Sequence, residues 1–323
     1  MKASNSALRV VLAQPRGFCA GVDRAIEIVE LALARYGAPV YVRHEIVHNH
    51  HVVERLRGLG AVFVKEVSEV PFGAVTVFSA HGVSRHVEGQ SRLRALDVID
   101  ATCPLVHRVH QEGRRYAEAG YDVVLIGHRG HPEVEGTQGQ VPGRVQVIAS
   151  VAEVAGLDIA DPSRVAYITQ TTLSPLDTRE VIAALKARFP EIKGPDTRDI
   201  CYATHNRQQA LLGLVAHVDM VLVVGARNSS NTARLREIGE RAGLPTHLIG
   251  HADELDPAWL DGIARIALTA GASAPESLVQ GVLSRLSTLR AVEIEVQDGK
   301  QEHVRFRLPP RLSEAPEAQL QKV

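Results

Sequence analysis

Short runs of β-branched and aliphatic residues recur along this chain, and most are followed by a polar loop and then a stretch of helical period. Strand-like runs stand at 10–13, 40–42, 75–78, 98–99, 123–126, 165–168, 221–224 and 266–268. Apolar residues return at helical spacing over 22–36, 107–119, 176–189, 206–217, 232–242 and 275–289. Strands alternating with helices predict an α/β protein with parallel sheets covered on both faces. From residue 291 the pattern changes. Val292, Ile294 and Val296 alternate with polar residues, as do Val304, Phe306 and Leu308, before Pro309-Pro310 and a polar end. This predicts a hairpin followed by a loose terminus.

Cys19, Cys103 and Cys201 are the only cysteines. Each stands in a polar, Gly- or Pro-marked loop just before a helical stretch, where buried core cysteines are uncommon. A helix N-terminus carries unpaired N–H groups and partial positive charge, so thiolate is expected at all three. Three thiolates converging from distant segments suit a soft metal centre. The intervals between them each hold enough α/β material for one small domain. Lobes are therefore expected at 21–103, at 104–200, and at 201–290 together with 1–20, leaving 291–323 as a C-terminal tail.

Composition narrows the choices. A net charge of −1 gives no global pull toward nucleic acid or a membrane surface. Six Phe, six Tyr and one Trp are too few for a base-stacking face. No apolar run approaches a membrane span. An odd cysteine count, with no secretory h-region near Met1, predicts a reducing cytoplasm rather than a disulfide framework.

Ligands of open parallel sheets bind beyond the carboxyl ends of the strands. The residues there include His44-Glu45-Ile46-Val47-His48, Ser79-Ala80-His81-Gly82, His128-Arg129-Gly130-His131-Pro132-Glu133, Thr169-Gln170-Thr171-Thr172, Asn228-Ser229-Ser230-Asn231 and Gly271-Ala272-Ser273. Histidines, hydroxyls, amides and helix N-termini suit a phosphate or diphosphate. Charged imidazoles at His48, His81 and His131 would donate from both nitrogens. Glu133 near thiolates and an anion would be pushed toward its acid form and could deliver a proton. Plainer roles are available. Ser273 with Glu276 reads as a capping box, Ser174 as a helix cap, and Ser230 or Asn231 as a cap for the helix from Thr232. Glu133 could be a first-turn acid only. His44 and His48 have a zinc-like spacing but no Cys-x-x-Cys companion. Neither a P-loop nor a Gly-x-Gly-x-x-Gly turn after a strand is present.

Taken together, these blocks resemble the 4-hydroxy-3-methylbut-2-enyl diphosphate reductases, iron–sulfur enzymes that end the methylerythritol phosphate route to isoprenoids. The resemblance rests on Pro15-Arg16-Gly17-Phe18-Cys19-Ala20-Gly21, Ile46-Val47-His48-Asn49, Ser79-Ala80-His81-Gly82-Val83-Ser84, Asp100-Ala101-Thr102-Cys103-Pro104, and Gly127 through Gly136. It continues in Thr169 through Ser174, Ile200-Cys201-Tyr202-Ala203-Thr204, Asn228 through Asn231, and Thr269 through Pro275. The blocks fall in family order and reach from Val10 to Leu289.

The resemblance implies three similar α/β lobes in a trefoil around a central cluster. It implies one [4Fe–4S] cluster per chain, held by Cys19, Cys103 and Cys201, with one iron left open for the substrate hydroxyl. It implies that an allylic diphosphate is held by His48, His81, His131, Thr172, Ser229, Ser230, Asn231 and Ser273. Glu133 would be the proton source, with Thr171 beside it. Two electrons and two protons would convert the substrate to isopentenyl and dimethylallyl diphosphate. Because no nucleotide fingerprint is present, electrons are expected from a separate protein such as a flavodoxin or ferredoxin. Two alternatives share part of this pattern: a three-cysteine zinc hydrolase of a phosphorylated substrate, and a non-catalytic iron–sulfur sensor.

Overall fold

A computed structural model describes residues 7–313. Its strands form three separate sheets, and every named strand pair is parallel. The chain begins with β1 (Leu8–Leu12), which belongs to the last sheet. The first lobe contains α1 (Ala20–Tyr36), β2 (Val40–Arg43), α2 (His50–Gly58), β3 (Ala61–Val64), β4 (Val75–Phe78), α3 (Arg85–Leu93) and β5 (Asp97–Asp100), with sheet order β3-β2-β4-β5.

The second lobe contains α4 (Pro104–Glu118), β6 (Asp122–Ile126), α5 (Pro132–Gln140), β7 (Val145–Ile148), α6 (Val151–Val154), β8 (Val165–Thr169) and α7 (Pro175–Arg188), in order β7-β6-β8. The third contains α8 (Tyr202–Leu212), β9 (Met220–Val224), α9 (Ser230–Arg241), β10 (Thr246–Ile249), β11 (Arg265–Ala270), α10 (Glu276–Leu289) and β12 (Val292–Val296). Its sheet order is β10-β9-β11-β1-β12. β8 and β9 are buried at every residue, as strands covered on both faces must be, and they read as unbroken apolar runs.

Each lobe has its own apolar packing. α1 turns Val22, Ala25, Ile26 and Val29 onto Val40, Val42 and Ile99. Tyr167 and Ile182 pack in the second lobe, and Leu222, Leu268 and Val282 in the third. Such packing holds the strand ends, and the loops that follow them, in fixed places.

The predicted hairpin after residue 291 does not form. β12 instead pairs in parallel with β1, in the register Val10↔Ile294, and so extends the third sheet. The run around Phe306 is not a strand. It leads to a short α11 (Pro310–Ser313), whose Leu312 is buried in the first lobe's core. An alternating sequence marks one apolar face but does not say which strand it will meet. The end of the predicted loose terminus, 314–323, lies outside the described residues. Among the described residues no helix is long and apolar enough to cross a membrane.

Candidate functional site

The three cysteines occupy equivalent places: Cys19 is the N-cap of α1, Cys103 of α4 and Cys201 of α8. Each is also pinned by its own backbone N–H to the loop beyond a neighbouring strand. Cys19 donates to Ala272 O at 3.2 Å, Cys103 to Ala80 O at 2.9 Å and Cys201 to Thr171 O at 2.9 Å. Ala272 precedes Ser273 and Ala80 precedes His81, so every cysteine is tied directly to a loop carrying a predicted ligand residue.

All three cysteines line one cavity with Glu133, Thr171, Thr172, His48, His81, His131, Ser229, Ser230, Asn231 and Ser273. The three cysteines are half-buried where they line this cavity. Glycine makes room among them. A Cβ at Gly21 would sit 2.7 Å from Cys103 Sγ and 3.9 Å from Cys19 Sγ.

Electrostatics here corrects the expectation of free thiolates. Burial pushes Cys103 up to about 12 and Cys201 to about 11, and the neighbouring Cys19 adds to both. Cys19 is raised by burial as well, against the pull of Arg207. Loss of solvation outweighs the helix N-termini at all three, and repulsion from a neighbouring thiol adds to it at Cys103 and Cys201. A cationic centre would reverse this balance, since a coordinated thiol is deprotonated outright. Among the described residues no group of three or more His, Cys, Asp or Glu could hold a single metal ion. Three thiols around a small-residue cradle fit a larger cluster bound at its corners.

In the same cavity, His48 stacks on His81 with ring centroids 4.2 Å apart, and His131 meets both edge-on at 5.4 and 5.8 Å. His48 Nδ1 faces Glu45 at 3.1 Å, while its buried Nε2 has no partner. At His81 and His131 the charged imidazole expected from sequence is not favoured. Burial, then mutual repulsion, lowers His131 to about 3 and places His81 well below its usual value. A bound anion would offset both effects.

The hydroxyl loops divide between capping and facing the cavity. Ser229 caps α9 and Ser174 caps α7. The capping box expected at Ser273 does not form. Pro275 is the N-cap of α10, Ser273 Oγ donates to His48 O at 2.9 Å, and Glu276 pairs with Arg16 at 2.7 Å. Asn231 bridges Thr204 and Ala272, and Ser230 reaches Thr172 O at 3.4 Å.

Glu133 is buried in the first turn of α5. Its carboxylate accepts from Thr171 N at 2.6 Å and from Thr171 Oγ1 at 2.9 Å. These bonds favour the anion, yet burial wins and raises Glu133 to about 7. Burial thus favours the protonated carboxyl up to about neutrality, in the cavity that the thiols and histidines also line. Tyr202, which follows Cys201, and Phe306 in the C-terminal segment also line the cavity and were given no role from sequence. The alternation of apolar residues at 304, 306 and 308 was the available signal for Phe306, although Val304 itself is exposed.

Parallel α/β lobes in a trefoil, with three cysteines and the polar strand-end loops lining one cavity, define the class of this fold. The chain belongs to the LytB protein family, whose profile it matches over residues 10–287. It is 59% identical over 305 residues to the 4-hydroxy-3-methylbut-2-enyl diphosphate reductase of Zymomonas mobilis, covering 94% of this chain and 90% of that one. It is 59% identical over 304 residues to 4-hydroxy-3-methylbut-2-enyl diphosphate reductase 1 of Rhodopseudomonas palustris, covering 94% and 99%. Among solved structures, the E-1-hydroxy-2-methyl-but-2-enyl-4-diphosphate reductase of Plasmodium falciparum superposes with a TM-score of 0.90 at 35% identity, covering 95% of this chain and 97% of that one.

Proposed function

We propose that this chain reduces 4-hydroxy-3-methylbut-2-enyl diphosphate to isopentenyl and dimethylallyl diphosphate in the cytoplasm. The observation that carries the reading is the single cavity in which Glu133, hydrogen-bonded to Thr171, stands among three thiols, three histidines and the Ser/Asn loops. Cys19, Cys103 and Cys201 would hold a [4Fe–4S] cluster, which supplies electrons and, at an iron without a cysteine, Lewis acidity. The diphosphate is held by His48, His81, His131, Thr172, Ser229, Ser230, Asn231 and Ser273, the α9 N-terminus adding its dipole. Anchoring that end places the allylic hydroxyl beside Thr171 and Glu133. Glu133 holds the proton that leaves with the hydroxyl as water, and Thr171 keeps the carboxyl aimed. The balance is two electrons and two protons in, and one water out. Electrons come from a separate carrier protein of the flavodoxin or ferredoxin kind.

The test is anaerobic purification, iron and sulfide analysis, and turnover with a chemical reductant. About four iron and four sulfide per chain with reductase turnover is expected. A colourless, turnover-free protein after anaerobic preparation would overturn the proposal.

A further inference from the structure

The segment after β12 is the part of the chain that the reductase reading leaves unused. It runs as a strap from the third lobe to the first and reaches the cavity at Phe306. Phe306 lines the cavity, Leu308 packs against the first lobe's core, and Leu312 is buried in it. Two arginines tie this strap to residues that immediately precede cysteines. Fully buried Arg207 pairs with Glu302 at 3.2 Å and donates to Phe18 O at 2.8 Å, next to Cys19. Arg24 donates from Nε to Arg307 O at 2.8 Å and from Nη1 to Thr102 O at 3.1 Å, next to Cys103. The strap is therefore one side chain away from two of the three thiol-bearing loops.

Its outer face has a definite charge. His303, Arg305 and Arg307 are exposed, while Phe306 between the two arginines is drawn inward. Among the described residues the guanidinium groups of Arg305 and Arg307 have no hydrogen bond or ion pair, whereas Arg311 is neutralised by Asp97 at 2.7 Å and Glu302 by Arg207. The exposed acids of α1, Asp23 and Glu27, limit the positive strip to the strap itself. Two unpaired cations flanking a residue that lines the cavity form a poor structural element but a good electrostatic landing site.

We propose that the strap from Glu302 to Arg307 is the docking surface for an acidic one-electron carrier protein, with Phe306 and the two arginine bridges lying between the docked carrier and the cysteines. This rests on the reductase reading. Each carrier is oxidised by one electron, so two successive encounters supply the pair that reduces the allylic C–O bond. The two protons come from Glu133 and solvent, and the hydroxyl leaves as water.

The experiment uses cluster-loaded enzyme, chemically reduced flavodoxin as the protein donor, and reduced methyl viologen as the small donor. In the R305E/R307E double variant, kcat/KM for flavodoxin at low salt should fall about tenfold or more, and its salt dependence should flatten. Turnover with methyl viologen should stay within about twofold of wild type, because an exposed charge reversal leaves the cavity unchanged. The R305K/R307K variant should keep its flavodoxin kinetics. Unaltered flavodoxin kinetics in the double-Glu variant, or equal losses with both donors, would overturn the docking surface. A wild-type enzyme inactive with both donors would instead overturn the reductase reading.

Discussion

Replacing Glu133 with glutamine should separate catalysis from stability in opposite directions. In the folded chain, burial raises the Glu133 carboxyl from 4.5 to about 7, despite two hydrogen bonds from Thr171. A carboxyl whose folded value is raised binds more protons folded than unfolded between those limits. Its contribution is therefore fully favourable below pH 4.5, declines as pH rises, and is lost above about pH 7. The shift of about 2.5 units corresponds to about 3 kcal/mol. Glutamine carries no charge, so E133Q should gain up to about 3 kcal/mol on wild type between pH 4.5 and pH 8. Urea unfolding of both cluster-free proteins across this range measures the difference. Turnover of the cluster-loaded variant should fall about 100-fold or more, the usual scale of lost general acid catalysis. In the wild type, kcat/KM should decline above about pH 7 as Glu133 loses its proton. A stability difference constant from pH 5 to pH 8 would refute the claim that burial keeps the carboxyl protonated, and an unchanged kcat would refute its role as proton donor.

Other consequences are open to direct measurement. Gly21→Ala brings a methyl group to 2.7 Å from Cys103 Sγ, so the chain should fold but retain little iron; normal iron and sulfide content would sink the cradle argument. His131 is lowered to about 3 and His81 well below its usual value, so both are neutral in the empty cavity at pH 7. Binding of inorganic diphosphate should then draw in protons, seen by calorimetry in two buffers of different ionisation enthalpy, and His131→Asn should reduce that uptake. Arg207→Met strips Glu302 and the Phe18 carbonyl of their buried partner and should cost about 3–5 kcal/mol. The E302Q/R207M pair should recover part of this in a double-mutant cycle, and full additivity would show that the two groups are not coupled.

Much of the architecture was legible because its cause is local. Alternation of apolar strands with amphipathic helices follows from burying one face of each element, and β8 and β9 were visible as apolar runs for that reason. The short edge strands β3, β7 and β10 carried weaker patterns and emerge only as partners of β2, β6 and β9. Ser174 could be read as a cap because its partner, Asp177 N, is three residues away. Ser273 was misread by the same logic, because its hydroxyl goes to His48 O, 225 residues distant in sequence.

The sequence by itself determined an α/β chain, three cysteines at helix starts, and a set of polar loops at strand ends. These follow from periodicity, from capping chemistry, and from the directionality of parallel strands. Tertiary structure alone decided that these loops meet in one cavity, that β12 joins β1, and that Phe306 closes the wall. It also decided the charge states. Helix N-termini favour thiolate and anion-binding loops favour charged imidazole, yet both preferences yield to the solvation lost when distant segments pack together. Burial is a property of the assembled lobes, and no stretch of sequence carries it on its own.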